Sequence, residues 1–268
     1  MPRIRINGID HRYAIAGPQD APVVTFGHAQ GFNLECWAGQ VPGLRGRFQV
    51  LAFDFRGHGG TGLARAPYRI EDLAGDVIGL LDGLKIAATH YVGASLGGMA
   101  GFSLALDYPK RLASVTFVTT QGQLPQSSAE GQRANTQIMR RDGMKARADA
   151  ILTRYLRPGF ADTQPEQYAA LRWQFTETPV EGYAMSGDAI FAMNFDDRIA
   201  GIALPTMIIA GQMDIATTPD RMALYRDYIA GARMTMIADA GHMPYVEQSG
   251  EFNAALSGFL DAQPQASA

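Results

Sequence analysis

Ser95 sits within Gly93-Ala94-Ser95-Leu96-Gly97-Gly98, after a short apolar run ending at Gly93 and before a small-residue stretch that starts near Gly97. A serine placed between a strand and a helix, with a glycine two positions to either side, fits the G-x-S-x-G elbow. Such a turn is too sharp for bulky neighbours. It carries the hydroxyl outward to a helix N-terminus, where free amides and the helix dipole favour negative charge on a nearby oxygen. The chemistry on offer is nucleophilic attack on a carbonyl, with the Leu96 amide as one donor to the oxyanion. A serine of ordinary pKa is a poor nucleophile, so this reading requires a base within hydrogen-bond reach and a carboxylate to hold that base.

Five histidines are available. His11 and His90 fall in strand-like segments and read as surface or satisfied residues, His28 follows a strand, and His58 lies in a glycine-rich loop. Only His242 lies C-terminal to Ser95, in Ala240-Gly241-His242-Met243-Pro244, and it is the expected base. The expected acid is Asp214, which follows a strand in Gly211-Gln212-Met213-Asp214. Nucleophile, acid and base then come in that chain order, each at a strand's C-terminal end, where open α/β sheets place their sites. Asp188, Asp196, Asp197, Asp220 and Asp239 are the competitors for the acid. The second oxyanion donor is expected from Gly27-His28-Ala29-Gln30-Gly31, with the Gln30 amide as donor and His28 organising the loop. Asp54-Phe55-Arg56-Gly57-His58-Gly59 combines charge with glycine but lacks the lysine and hydroxyl of a phosphate-binding loop, and reads as a structural turn.

Positioning these groups takes a sheet. Strand patterns occupy Arg3 to Ile6, Arg12 to Ala16, Val23 to Phe26, Val50 to Phe53, His90 to Gly93, Ala113 to Thr119, Pro205 to Ala210 and Met234 to Ala238. Helical patterns run from about Ile70 to Leu84, from Gly97 to Tyr108, and from about Glu251 to Asp261. The strands are apolar without strict alternation, which indicates burial on both faces. Strand, helix, strand from residue 90 to 119 implies parallel pairing by a right-handed crossover. The expected fold is α/β, a mostly parallel sheet covered by helices on both faces. Residues 1–122 and 201–268 form its core, and residues 123–200, helical and loop-rich, form a cap. Cap residues Trp173, Phe191 and Met193, together with His28, are the candidate substrate contacts.

Composition narrows the function classes. The 268 residues are 47% hydrophobic and 18% charged with a net charge of −3, so disorder is excluded and nucleic-acid binding loses its electrostatic basis. One cysteine, Cys36, cannot form an intramolecular disulfide, and no Cys/His cluster has zinc spacing. The N-terminus lacks a signal-peptide pattern, no apolar run is long enough to span a membrane, and a cytoplasmic location is expected. Neither a metal nor an organic cofactor is implied, since Ser95, His242 and Asp214 would supply nucleophile and base themselves, and the glycine-rich segments lack the G-x-G-x-x-G spacing of a dinucleotide fold. Monomer and homo-oligomer both stay open.

With these residues in hand the chain resembles the α/β-hydrolase superfamily over nearly its whole length, and within it the 3-oxoadipate enol-lactonases. The superfamily likeness rests on Phe53 to Gly59, Gly93 to Gly98, Ala210 to Asp214 and Ala240 to His242. The narrower likeness rests on Gly31-Phe32-Asn33-Leu34-Glu35-Cys36-Trp37 and Thr178-Pro179-Val180-Glu181-Gly182-Tyr183. Ala29 departs from the glycine that many superfamily members carry at that point.

The resemblance and the residues together imply hydrolysis of a small carboxylic ester or lactone through an acyl-Ser95 intermediate. His242 is the base, Asp214 its partner, and the Gln30 and Leu96 amides the oxyanion hole. An acidic substrate would need a cap cation, for which Arg133, Arg140, Arg141, Lys145, Arg147, Arg154 and Arg172 are all candidates. Rival readings on the same fold are a C–C bond hydrolase of ring-cleavage products and a haloperoxidase-like perhydrolase. From another class, the rival is a ligand-binding protein without turnover.

Overall fold

The computed structural model describes residues 1–263, so the last five residues of the core segment expected to reach 268 lie outside the described residues. Eight strands make one sheet: β1 (Arg3–Ile6), β2 (Ile9–Ala16), β3 (Val23–Gly27), β4 (Gln49–Phe53), β5 (Thr89–Ala94), β6 (Leu112–Val118), β7 (Thr206–Gly211) and β8 (Arg233–Ile237). Their order is β1-β2-β4-β3-β5-β6-β7-β8; β1, β2 and β4 pair antiparallel and every later pairing is parallel.

The antiparallel start has a local cause. Asn7 and Gly8 both take positive φ (48° and 79°), the conformation of a two-residue hairpin turn whose twist matches the flanking strands. That turn fixes Ile6 opposite Ile9, so β2 begins three residues before the apolar pattern alone suggests.

The helices are α1 (Val41–Leu44), α2 (Ile70–Gly83), α3 (Leu96–Asp107), α4 (Gln126–Asp142), α5 (Ala148–Tyr155), α6 (Phe160–Thr163), α7 (Pro165–Glu177), α8 (Val180–Ala192), α9 (Pro219–Tyr228), α10 (Pro244–Glu247) and α11 (Ser249–Asp261). Acidic Glu71 and Asp72 occupy the first turn of α2, and Pro109 follows the end of α3. One apolar cluster joins the sheet to α2, α3 and α9, and the other joins its opposite face to α1 and α11. The sheet is thus covered on both sides, as its non-alternating strands require.

After β6 the chain leaves the sheet, forms α4 to α8, and returns to the same place. Gln123 and Asn194 pair there in an isolated antiparallel bridge, and the Phe195 N–H donates to the Gly122 carbonyl at 2.8 Å. Met139, Ile151, Phe160, Leu171 and Phe175 of this insertion share the apolar cluster that contains α11. No described helix is long and apolar enough to cross a membrane.

Candidate active site

Ser95 has φ 49° and ψ −109°, a conformation a serine holds only when its surroundings force it. The forcing bonds are visible. Its N–H donates to the Val118 carbonyl (3.0 Å), and its carbonyl accepts from the Thr120 hydroxyl (2.7 Å) and from the Met99 N–H (2.9 Å). Packing leaves no alternative to the two flanking glycines, because a Cβ on Gly93 would strike the Gly97 carbonyl and one on Gly97 the Gly27 carbonyl. The turn ends in α3, so the Ser95 side chain stands at that helix's N-terminus.

His242 and Asp214 meet across the β7 and β8 loops. His242 Nδ1 lies 2.7 Å from Asp214 Oδ2, and both side chains are buried. Asp214 Oδ1 also accepts the Ala216 and Thr217 N–H groups at 2.7 and 3.0 Å. A carboxylate so occupied stays where it is and accepts the hydrogen bond of the Nδ1–H, which leaves Nε2 as the imidazole's acceptor.

The His242 backbone is tied as well, with its N–H donating to the Tyr155 carbonyl (2.6 Å) and its carbonyl accepting from the Thr119 hydroxyl (2.8 Å). The Tyr155 ring packs on the imidazole with centroids 4.7 Å apart. Burial pushes the Tyr155 phenol up to about 12, so it puts no charge beside the histidine.

Ser95 and His242 line one cavity of about 260 Å³. Among the described residues the Ser95 hydroxyl has no hydrogen-bond partner, which leaves it open to the cavity; catalytic bonds of this kind commonly tighten only when substrate is bound. The Leu96 and Gln30 amides have no acceptor among the described residues either, while the neighbouring Gly97 N–H is taken by the His28 carbonyl at 3.0 Å. Gln30 is clamped by its side chain. Its Nε2 donates to the Tyr183 carbonyl (2.9 Å) and the Ser186 hydroxyl (3.0 Å), and its Oε1 accepts from Gln132 Nε2 (2.8 Å). The loop after β3 is therefore held by α4 and α8 of the insertion.

His28 is fully buried behind this loop. Its Nδ1 bonds the Ala29 carbonyl at 2.8 Å, and its Nε2 accepts the Phe55 N–H at 2.9 Å. Those bonds define a neutral ring, and burial lowers it to about 4. His28 braces the loop from outside the cavity. Trp173 on α7 is 57% exposed, Phe191 lies under the Arg133 guanidinium at 4.7 Å, and Met193 is buried in the apolar cluster of α2 and α3. None of these four is among the described residues that line the cavity.

Different residues form its wall. Ser128, Gly131, Gln132 and Asn135 make one polar stripe of α4, and Ile151, Arg154 and Tyr155 one face of α5, with Tyr183, Ile190, Gln121 and Thr217 completing much of the rest. Spacings of three, four and seven residues along α4 are the only sequence signal that could have found this wall. Among the described residues no Asp or Glu lines the cavity, and Arg154 is the one Lys or Arg that does. Of the other candidate cations, Arg140 pairs with Glu181 (3.2 Å), Arg141 with Asp142 (2.6 Å) and Arg172 with Asp149 (2.7 Å), while Arg133, Lys145 and Arg147 are not among the described residues that line the cavity. Among the described residues Arg154 has no carboxylate partner. No group of three or more His, Cys, Asp or Glu side chains converges as a metal site among the described residues.

This geometry has known relatives. Residues 22–249 match the family described as alpha/beta hydrolase fold. The 3-oxoadipate enol-lactonase 2 of Acinetobacter baylyi is 31% identical over 248 residues, covering 92% of each chain. The crystal structure of the enol-lactonase from Burkholderia xenovorans superposes with a TM-score of 0.94 at 35% identity, covering 97% of this chain and 100% of that one. A hydrolase from Pseudomonas aeruginosa superposes with a TM-score of 0.93 at 29% identity, covering 97% of this chain and 98% of that one.

Proposed function

The chain belongs to the alpha/beta hydrolase fold family and is a hydrolase of ester or lactone bonds, and we propose that it carries out this reaction through an acyl enzyme on Ser95. The observation that carries the proposal is the 2.7 Å contact of His242 with Asp214 beside the same cavity into which Ser95 opens. Ser95 Oγ attacks the carbonyl carbon and His242 Nε2 takes its proton, while Asp214 stabilises the imidazolium that results. Charge that develops on the carbonyl oxygen falls to the free Gln30 and Leu96 amides. Collapse expels the alkoxide or enolate, which His242 protonates, and a water activated by the same imidazole then releases the acid from Ser95.

The insertion acts as the cap of this site. It supplies one wall of the cavity and, through Gln30, holds the loop that carries the oxyanion donor. The substrate we propose is a lactone that retains a carboxylate, of the 3-oxoadipate enol-lactone kind. Arg154 supports this reading, since among the described residues it is a guanidinium without a carboxylate partner in a wall rich in amides and hydroxyls and free of carboxylates. Hydrolysis of 3-oxoadipate enol-lactone and of a neutral ester of similar size, each followed with wild-type protein and Ser95→Ala, tests the proposal. The expected result is faster turnover of the lactone, abolished in the variant. Turnover of the neutral ester alone would reject the acidic substrate, and undiminished turnover by Ser95→Ala would reject the mechanism.

A further inference from the structure

The loop that carries His242 is held by groups the reaction itself does not use. Glu247, in α10, is only 8% exposed, and its carboxylate accepts three backbone N–H bonds. Oε1 takes those of Gly241 (3.0 Å) and Met243 (3.1 Å), the two residues flanking the imidazole. Oε2 takes that of Arg157 (2.6 Å), two residues past α5 in the insertion. In the opposite direction the His242 N–H donates to the Tyr155 carbonyl. Gly241 shows how closely the two segments lie, because a Cβ there would stand 2.6 Å from the Tyr155 oxygen and 3.0 Å from the Arg157 nitrogen.

We infer that Glu247 is a positioning residue that locks the catalytic base to the insertion, so that His242 reaches its working orientation only while the segment Tyr155 to Arg157 is docked against it. This rests on the reading of His242 as base. One carboxylate bonds both neighbours of the imidazole and the insertion at once, so a shift of the insertion is a shift of the ring. Bonds from amides to a buried carboxylate are short and strong, which suits them to holding a group whose misplacement by about 1 Å costs on the order of 100-fold in rate.

Glu247→Gln is the isosteric probe. Its carbonyl oxygen can accept from amides, but its NH₂ cannot face another N–H, so at least one tie is lost at constant volume. The measurements are kcat and KM for a short acetyl ester and for a larger ester that fills the cavity, and the rate at which a fluorophosphonate labels Ser95. Loss of about tenfold to 100-fold in kcat on both esters, the same loss in labelling rate, and KM values within about threefold of wild type are expected. Gly241→Ala, whose methyl forces the His242 loop and the insertion apart while leaving the Glu247 carboxylate itself unaltered, is expected to give the same pattern. A kcat and labelling rate within about twofold of wild type in the folded variants, whatever the change in Tm, overturns the inference. So does a KM effect confined to the larger ester. Wild-type protein that neither turns over an ester nor labels at Ser95 rejects the proposed function instead.

Discussion

Replacing Asp214 by asparagine changes one oxygen into an NH₂ group and should cost the enzyme most of its turnover while leaving the fold in place. Asp214 accepts three bonds, from Nδ1 of His242 and from the Ala216 and Thr217 amides. Asparagine has one accepting oxygen, and the two amides, fixed in the loop after β7, retain it. The NH₂ is then presented to the imidazole, which must turn Nδ1 into an acceptor and carry its proton on Nε2. In that tautomer the ring cannot receive the Ser95 proton, and the imidazolium has lost its counter-charge. The expected fall in kcat is about 10³- to 10⁴-fold. The stability cost is that of exchanging a buried hydrogen bond to a charged group for a neutral one, about 1–1.5 kcal/mol, a drop in Tm of a few degrees with an unaltered circular dichroism spectrum. Steady-state hydrolysis of a chromogenic acetyl ester, corrected for folded fraction, gives the answer. A folded variant within about tenfold of wild type would refute the reasoning and move the acid role elsewhere, with Asp188 and Asp197 next to be tested.

Further outcomes follow from other contacts. Ser95→Gly should be inactive yet more stable by about 1 kcal/mol, because the φ of 49° that strains serine suits glycine; an unchanged or lower Tm would contradict the strain. Arg154→Gln should lower kcat/KM about tenfold for a lactone bearing a carboxylate, less in high salt, and leave neutral esters alone; equal effects on both would remove Arg154 from substrate recognition. Stability should also depend on pH. Burial lowers His28 to about 4, His58 to about 3 and His90 to about 4, against 6.5 ordinarily. The unfolded chain therefore binds protons that the folded chain refuses, and stability is full above about pH 6.5 and is lost as the pH falls toward 4. The loss at pH 5 is on the order of 1–2 kcal/mol per histidine, and urea midpoints that do not move between pH 7.5 and pH 5 would contradict it.

What could be read from the chain and what could not divide along a physical line. The approach of Ser95, Asp214 and His242 was legible because each follows a strand of one sheet, and because Gly93 and Gly97 announce a turn that few other residues survive. The cavity wall was not. Which face of α4 or α5 meets the sheet edge is decided by tertiary packing, and aromatic content alone pointed to Trp173, a surface residue, in place of Tyr155. Met193 and Phe191 show the same effect, since a large apolar side chain is as useful to a core as to a substrate pocket. Glu247 is illegible in the sequence for another reason. It acts through backbone amides, which every residue has, so nothing in the types of its partners marks them.

A covalent bond between substrate and Ser95 is seen most directly by mass spectrometry of the protein quenched during turnover of a slowly deacylating ester. One acyl adduct, mapped to the peptide containing Ser95, is expected in wild type and not in Ser95→Ala. Turnover without an adduct on that peptide, or an adduct that persists when Ser95 is replaced, would contradict it.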